Sequence, residues 1–523
     1  MANGVCPLPV SHRKWLCGGV RPCMITDAVK GGIAMPTPLT ATLSTEDKPE
    51  QQANPRRWYA LAVILLPTLL ISLNTYMIQV ALPSMQRSLH ASFAEAQLIV
   101  TGFSLGLAVA LMASGKLGDR YGRRRMLFIG VSGFTLMAAL GGLTSEPALL
   151  IAIRIVQGLA AAFIQPQVLS IMQVSFTQRE KPLAFGVYGA MIGFGFASGL
   201  ILGGVLVNWN LFDLGWRTVF FFNVPFGLLV LLLLPMIPES RGEQAHGLDW
   251  AGTVLLMGGL FLIVYPLSEG QKQGWTAWTW LCLLAALPLL AAFVMVELRK
   301  RKRGAVPLVD LSIFKHRSFR AGMAAVVVIY LSLFSFFFIV SYYVQYGLHR
   351  DVQYASLVFL PLGAGLFLTS LLSARIVRRW GLPVLKIGAL TVGASCLLFI
   401  GSLAIDAADL LHVRNVLILL AYGLGLGLVT TPLVNVVLGT VPAQEAGTGS
   451  GLFTTLMYLA NSLGVALIGI VFSASLGPGE VDLPDYVRAF AVSVAASGGM
   501  ALTAFLCLCF LPNPGRARPE TAA

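Results

Sequence analysis

Few residues in this chain could do chemistry in an apolar setting. Arg154-Ile155-Val156-Gln157-Gly158 puts a permanent cation and an amide three residues apart inside an otherwise apolar run. A charge there is costly unless it is paired or faces a wet cavity. Asn74, in Leu73-Asn74-Thr75-Tyr76, offers an amide that hydrogen-bonds but cannot titrate. Two carboxylates stand at the ends of apolar segments, Glu269 and Glu297, as interface residues or as proton carriers. The other polar groups in apolar runs are neutral: Gln79, Gln165, Gln167, Gln173, Asn435 and Asn461. Phe103, Tyr342, Tyr343, Tyr346, Tyr422 and Tyr458 could add aromatic walls. Together these suit an amphipathic organic molecule better than an inorganic ion. There is no Walker loop and no Ser/His/Asp arrangement that stands out. All six histidines fall in tails or loops, and the seven cysteines show no CxxC spacing, so neither metal, cofactor nor catalytic residue is expected.

The elements that must position these groups follow from composition. Of 523 residues, 56% are hydrophobic and 11% charged, too few charges to cover a water-facing surface of this size. A membrane helix needs about 20 apolar residues. Fourteen apolar segments follow one another, the first over 58–83 and the last over 488–511. The expected fold class is therefore all-α integral membrane. Residues 1–57 hold no apolar run of signal-peptide type and are expected to form a disordered cytoplasmic tail, with Met24 and Met35 as in-frame alternative starts. Residues 512–523 form the other tail.

Charge sets the orientation. With the N-terminus inside and fourteen alternating spans, 29 of the 36 Lys and Arg fall in inside loops and tails. Six fall outside, at Arg87, Arg217, Lys272, Arg350, Arg414 and Arg488, and Arg154 lies within a span. Cytoplasmic loops collect Lys and Arg, so both termini are placed in the cytoplasm. The net charge of +13 then reflects topology and contact with anionic membrane lipid rather than nucleic acid. The most basic loop, Arg299-Lys300-Arg301-Lys302-Arg303 with Lys315, Arg317 and Arg320, divides the chain. The expected layout is a six-helix bundle over 58–238, a two-helix insertion with the basic loop over 239–320, and a second six-helix bundle over 321–511. A weak echo supports two related halves: Gly115-Lys116-Leu117-Gly118-Asp119-Arg120-Tyr121-Gly122-Arg123-Arg124-Arg125 follows span 2, and Ser373-Ala374-Arg375-Ile376-Val377-Arg378-Arg379-Trp380-Gly381 follows span 10. Duplicated halves with a site near the midplane are a secondary-transporter plan.

The loop at 115–125 carries a specific resemblance. It resembles the signature loop of the major facilitator superfamily, G-x-L-x-D-R-x-G-R-R, in which Gly115, Asp119, Arg120, Gly122 and Arg123 would form a gating latch. Asp119 can pair with a nearby Arg or accept from a helix N-terminus. Fourteen spans resemble that superfamily's drug/proton antiporter branch of EmrB/QacA type. Further matches are Asn74 to Pro83 at the end of span 1, Arg154-x-x-Gln157-Gly158 in span 4, Trp216-Arg217 to Asn223-Val224-Pro225 before span 6, and Leu248-Asp249-Trp250 and Ser268-Glu269-Gly270 around span 7. Span 5 resembles the antiporter motif through Gly195, Gly199, Gly203 and Gly204, with Leu200 in the motif's proline position. The resemblance implies an inner-membrane, multi-pass exporter of amphipathic drugs or metabolites. It would work by alternating access on a small-molecule substrate. In double-membrane bacteria such exporters can work with a periplasmic adaptor protein.

Two departures bear on mechanism: Leu200 in the motif's proline position, and Asn74, where the family usually has a carboxylate. Asn74 lies about 12 Å below the outer end of span 1 and Arg154 about 9 Å below the outer start of span 4, at 1.5 Å per residue. They share a level, but Asn74 offers Arg154 only a dipole. Either Arg154 snorkels or bonds carbonyls and water, or it faces the cavity and attracts an anion. The second reading makes the protein a facilitator or exchanger for an anionic organic metabolite. Proton coupling, with no acid at position 74, is then expected to use Glu269 or a group at the mouth.

Overall fold

The computed structural model describes residues 57–177, 180–241, 249–270, 275–303, 314–315, 317–438, 446–477 and 482–511. The two tails, most of the basic loop beyond Arg303 and the side chain of Asn435 lie outside these described residues. Fifteen α-helices run in order: α1 Arg57–Ser88, α2 Phe93–Tyr121, α3 Arg123–Leu143, α4 Pro147–Ala162, α5 Gln165–Ser175, α6 Lys181–Trp209, α7 Arg217–Leu233, α8 Trp250–Glu269, α9 Ala277–Lys302, α10 Arg317–Tyr342, α11 Val352–Trp380, α12 Pro383–Leu403, α13 Val413–Leu438, α14 Ala446–Leu476 and α15 Leu483–Cys509. Thirteen helical segments among the described residues are long and apolar enough to cross a membrane. The apolar stretch of α8, Ala251–Leu267, is shorter than the others. The span expected over 148–173 is two helices, α4 and α5, broken around Phe163 and Ile164. Pro166 in the first turn of α5 explains the break, because proline cannot donate within a continuing helix.

The helix pairings of the first part recur in the second. α2 packs on α4 as α11 packs on α13, α3 on α7 as α12 on α15, and α3 on α4 as α12 on α13. The recurrence extends to single residues. A Cβ on Gly106 would lie 2.3 Å from the Ile155 carbonyl oxygen, and one on Gly158 2.1 Å from that of Phe103, so α2 and α4 touch backbone to backbone. A Cβ on Gly365 would lie 2.5 Å from the Leu420 carbonyl oxygen, and one on Gly423 2.0 Å from that of Leu362. In lipid, where apolar burial does not drive helices together, such close approach is what holds them. The basic loops correspond as well. Gly122 closes α2 with φ 111° and Gly381 closes α11 with φ 67°, each donating its N–H four residues back, to Gly118 and Val377.

The early helices meet the late ones along two seams, α2 against α14 and α6 against α11. Each is tight toward the end that carries Arg87 and Arg350 and parts toward the end that carries the basic loops. On α6, a Cβ at Gly204 would strike Ser356 on α11, and one at Gly193 would lie 3.9 Å from the Phe367 ring. Gly189 and Gly186 continue this face at helical spacing, yet a Cβ on either would meet nothing within 4 Å. On α14, Gly469 abuts Gln97, whereas Gly451, toward the basic end, has nothing within 4 Å. α8 packs on both α2 and α14, with Leu260 and Val264 joining Leu105 and Val109 in a small core against Leu459 and Leu463, so it covers one seam from outside. α9 packs on α8, and most of its apolar surface faces outward.

These contacts separate two kinds of glycine. Gly158→Ala and Gly423→Ala are expected to lose about 1–3 kcal/mol through overpacking against a carbonyl. Gly186→Ala and Gly189→Ala should be neutral or up to about 1 kcal/mol more stable, from helix propensity alone. Thermal unfolding of the detergent-solubilised protein checks both, and equal shifts in the two groups would contradict the packing described.

Candidate functional site

Arg154 is 1% exposed and has found its partners inside the protein. Its Nε donates to the Ile99 carbonyl at 3.0 Å and its Nη1 to Gln157 Oε1 at 2.6 Å. Its guanidinium lies over the Phe103 ring, 4.2 Å from the centroid. A charge-assisted bond, a carbonyl and a ring face are what a buried cation needs in place of water. Gln157 in turn donates to the Phe134 carbonyl at 3.5 Å, so the pair spans α2, α3 and α4. The helical spacing of Arg154 and Gln157 read from sequence is therefore a contact.

Asn74 is fully buried, and the hydrogen-bond partner recorded for it is on α7: Asn223 Nδ2 donates to Asn74 Oδ1 at 3.5 Å and to the Val219 carbonyl at 2.8 Å. Two neutral amides thus meet at the position where a carboxylate was the family expectation. The antiporter-motif glycines press on the same stretch of α1. A Cβ on Gly195 would sit 2.6 Å from Ser72 Cβ, one on Gly199 3.0 Å from Tyr76 Cβ, and one on Gly203 2.8 Å from the Met77 carbonyl oxygen. Gly204 is the exception, turned to α11, where Ser356 donates to the Leu200 carbonyl at 2.9 Å. Leu200 is buried in place of the motif's proline, and α6 runs through it without an internal proline.

An aromatic cluster, termed the chamber, gathers side chains from four helices. The phenols of Tyr76 on α1 and Tyr188 on α6 each come within electrostatic range of Tyr330 on α10 and Tyr458 on α14, and those two of each other. Tyr76 packs edge-on to Phe196 at 4.5 Å and parallel to Phe334 at 6.1 Å. Gln165 Nε2 donates to the Tyr458 hydroxyl at 3.0 Å, while its buried Oε1 has no hydrogen-bond donor among the described residues. This site offers π faces, hydroxyls and one free acceptor, with no carboxylate among these side chains. Of the aromatics singled out in the sequence, Tyr458 joins it. Tyr422 stacks on Phe336 at 4.3 Å and Tyr343 on Phe490 at 4.2 Å as packing. Tyr76, Tyr188 and Tyr330 were missed. Their sequence signal was weak, because one tyrosine per helix marks no helix face.

Toward the end opposite the basic loops, neutral bonds tie α1 to α10. The segment Tyr343–Gly347 is a π turn that brings Gln345 to Val80, donating to its carbonyl at 2.9 Å, and Ser84 reaches Gln345 Oε1 at 3.4 Å. Tyr342 donates to Gln86 at 2.6 Å, and Arg87 lies over the Tyr346 ring at 5.5 Å. On the other seam Gln97 donates to the Val465 carbonyl at 3.0 Å, Ser462 to that of Thr101 at 3.0 Å, and Asn461 to Ser104 at 2.8 Å.

At the basic end, Asp119 pairs with Arg123 at 2.8 Å, and Arg123 reaches the Ser170 carbonyl at 3.4 Å. The helix N-terminus that Asp119 was a candidate to cap is held by Glu239, which accepts from the Arg124 and Arg125 amides at 2.9 and 3.2 Å. A carboxylate suits the positive end of α3, but a single Glu after span 6 gave no sequence signal of that role. A Cβ on Gly115 would lie 3.6 Å from Pro166 Cβ, and Gly118 is closed off by Gln167, whose Nε2 donates to the Ser114 carbonyl at 2.9 Å. Arg120 is exposed, lying over Tyr121. Glu269 is buried at the C-terminus of α8, away from both the chamber tyrosines and this loop in sequence.

Comparison with known proteins agrees with this architecture. Residues 64–465 match the model of the Major Facilitator Superfamily. The probable actinorhodin transporter of Streptomyces coelicolor is 32% identical over 450 residues, which cover 86% of this chain and 78% of that protein. The puromycin resistance protein pur8 of Streptomyces alboniger is 32% identical over 93% of this chain and 97% of its own length. The drug efflux pump JefA of Mycobacterium tuberculosis is 34% identical over 84% and 86%. Among solved structures, the xylose transporter XylE from E. coli superposes with a TM-score of 0.60 at 16% identity, over 88% of this chain and 98% of that one. The human organic anion transporter MFSD10 does so at 0.57 and 17%, over 87% and 100%. The chain belongs to the Major Facilitator Superfamily and is a multi-pass membrane transporter, not an enzyme.

Proposed function

We propose that this transporter is a fourteen-helix, proton-driven exporter of bulky aromatic, amphipathic small molecules. The observation that carries the reading is the uncharged aromatic chamber of Tyr76, Tyr188, Tyr330 and Tyr458, with the free Gln165 acceptor. Planar, weakly charged molecules would stack there and spend one hydrogen bond on Gln165. The relatives named for actinorhodin and puromycin support the same class. The bundles 58–238 and 321–511 would rock about the two seams, in an inner membrane with the basic end and both termini in the cytoplasm. The parting of the seams toward Gly186, Gly189 and Gly451 supports a state open to the cytoplasm, from which an exporter loads. No ATP-binding loop is present in the sequence, which leaves an ion gradient as the source of work.

The anionic-metabolite facilitator drew on an unpartnered Arg154. With its guanidinium bonded to Ile99 and Gln157 and seated on Phe103, Arg154 fits a fastening role between α2 and α4 better than a substrate ligand.

Two experiments test these readings. Tyr458→Ala and Gln165→Ala should raise the half-saturating concentration for puromycin efflux by about tenfold each, close to 1.4 kcal/mol. Unchanged efflux in both would remove the chamber from the binding site. Arg154→Gln should lower transport of cationic, neutral and anionic aromatic probes by a common factor and lower thermal stability by about 1–3 kcal/mol. A selective loss of the anionic probes would restore the facilitator reading.

A further inference from the structure

A second group of charges lies outside the chamber, where α2, α8 and α9 converge at the basic end. Asp249 caps α8: its Oδ1 accepts from the Gly252 amide at 2.7 Å and from Lys300 Nζ on α9. Its Oδ2 is buried with no hydrogen-bond donor among the described residues. That oxygen and Glu297 Oε1 converge on one spot, left open because residue 252 is glycine. A Cβ there would lie 2.7 Å from Asp249 Oδ2 and 2.5 Å from Glu297 Oε1. Glu297 is 1% exposed, on a helix otherwise turned largely outward. Lys116 of the signature loop lies within electrostatic reach of Asp249, Glu297 and Lys300.

Two buried carboxylates in contact cannot both stay ionised without compensating charge. The compensation on hand is unequal in kind. Lys300 bonds Asp249 directly from the same helix hairpin, whereas Lys116 arrives from α2, a helix of the seam that parts at this end. The other groups facing the pair are few. Asp119, one turn beyond Lys116, is engaged by Arg123. Arg301 follows Lys300 on α9. α14, which also packs on α8, carries no charged residue between Ala446 and Leu476.

We propose that the Asp249–Glu297 pair is a proton-binding site, in which one shared proton and the Lys116 ammonium are alternative counter-ions. With Lys116 close, both carboxyls are ionised and matched by two lysines. When the basic end of α2 moves away, Glu297 takes a proton from cytoplasmic water and donates its O–H to Asp249 Oδ2. On return of Lys116 the O–H bond breaks and the proton goes back to water, so each exchange trades one positive charge for one. Burial would raise the Asp249 carboxyl, but the bonds that its Oδ1 accepts from Lys300 and the Gly252 amide hold it below the usual carboxylate range, so Asp249 is the acceptor and Glu297 the proton's seat. Burial also pushes the Lys116 ammonium down, against the pull of the two acids. This site is separate from substrate binding, and it stands whether or not export is proton-driven. It makes the α8–α9 pair a sensor of cytoplasmic pH and of the position of α2.

Infrared spectroscopy of the full-length protein in lipid, titrated between about pH 5 and 9, reads the site directly. The expected result is a buried carboxylic-acid C=O band that Glu297→Gln removes. Lys116→Gln should move the midpoint of that band upward by about one pH unit or more, a tenfold rise in proton affinity. The absence of such a band in the wild type, its persistence in Glu297→Gln, or an unmoved midpoint in Lys116→Gln would each overturn the proposal. The wild-type and Lys116→Gln titrations decide it even if Glu297→Gln fails to fold.

Discussion

The rest of the molecule depends on how its two seams, α2 on α14 and α6 on α11, are held. Neither is welded. Gln97, Ser462 and Asn461 on one and Ser356 on the other make neutral hydrogen bonds, several of them to backbone carbonyls. Interhelical hydrogen bonds in membrane proteins average about 0.6 kcal/mol, because the open state also finds partners. A handful of such bonds holds a seam shut by an amount that substrate binding can offset. Within the first set of helices the contacts are of another kind. Gly106 and Gly158 bring two backbones together, and Arg154 is bonded into α2. Breaking those contacts would strand a charge and carbonyls in lipid. The difference between reversible seams and irreversible interiors is what lets a helical assembly of this kind move as rigid parts.

Much of this was legible in the sequence, and the limit of legibility has a physical cause. Apolar runs report spans because lipid accepts little else, and the glycine spacing in α6 reports close packing because a Cβ has no other reason to be absent at that period. The basic loops gave the echo that the structure carries down to Gly122 and Gly381. Depth along a helix could also be computed, which put Asn74 and Arg154 at one level. What a linear reading cannot supply is azimuth. Asn74 faces Asn223 on α7, and Arg154 faces Phe103 and Ile99 on α2. The chamber fails to show in the sequence for the same reason: its four tyrosines come from four helices, and each alone is an ordinary interfacial residue. Glu239 is a further case, a carboxylate whose role depends on a helix N-terminus 115 residues earlier in the chain.

The absence of a carboxylate from the recorded partners of Asn74 and Arg154 has a consequence for energetics. An ionisable acid beside Arg154 would need a desolvated charge pair, costly to form and more costly to leave half-made. This chain avoids that by pairing amides at Asn74 and Asn223 and by satisfying Arg154 with a carbonyl, an amide and a ring. The chamber therefore holds no fixed negative charge at that level to select cations. On the proposed function, recognition would rest on shape, stacking and Gln165, which would favour a range of aromatic substrates over one tightly specified ligand.

Charge is displaced instead to the flank, and the place it goes is not arbitrary. α8 is the one helix among those described that packs substantially on both α2 and α14 without belonging to the repeat of pairings that relates α1–α7 to α10–α15. It covers one seam, and among the described helices none covers the α6–α11 seam in the same way, so the two-fold pattern is broken on one side. A helix fastened across a moving seam must either slip along one partner or hold it through a contact that can be undone. The apolar patch of Leu260 and Val264 can slip, because dispersion contacts carry no direction. The Asp249–Lys300 cap cannot, since it fixes the start of α8 to α9. Lys116 is the remaining link to α2, long, flexible and replaceable by a proton. On the mechanism proposed, the α8–α9 pair would be part of the moving machinery, with its adjustable joint at the loop that the family signature marks.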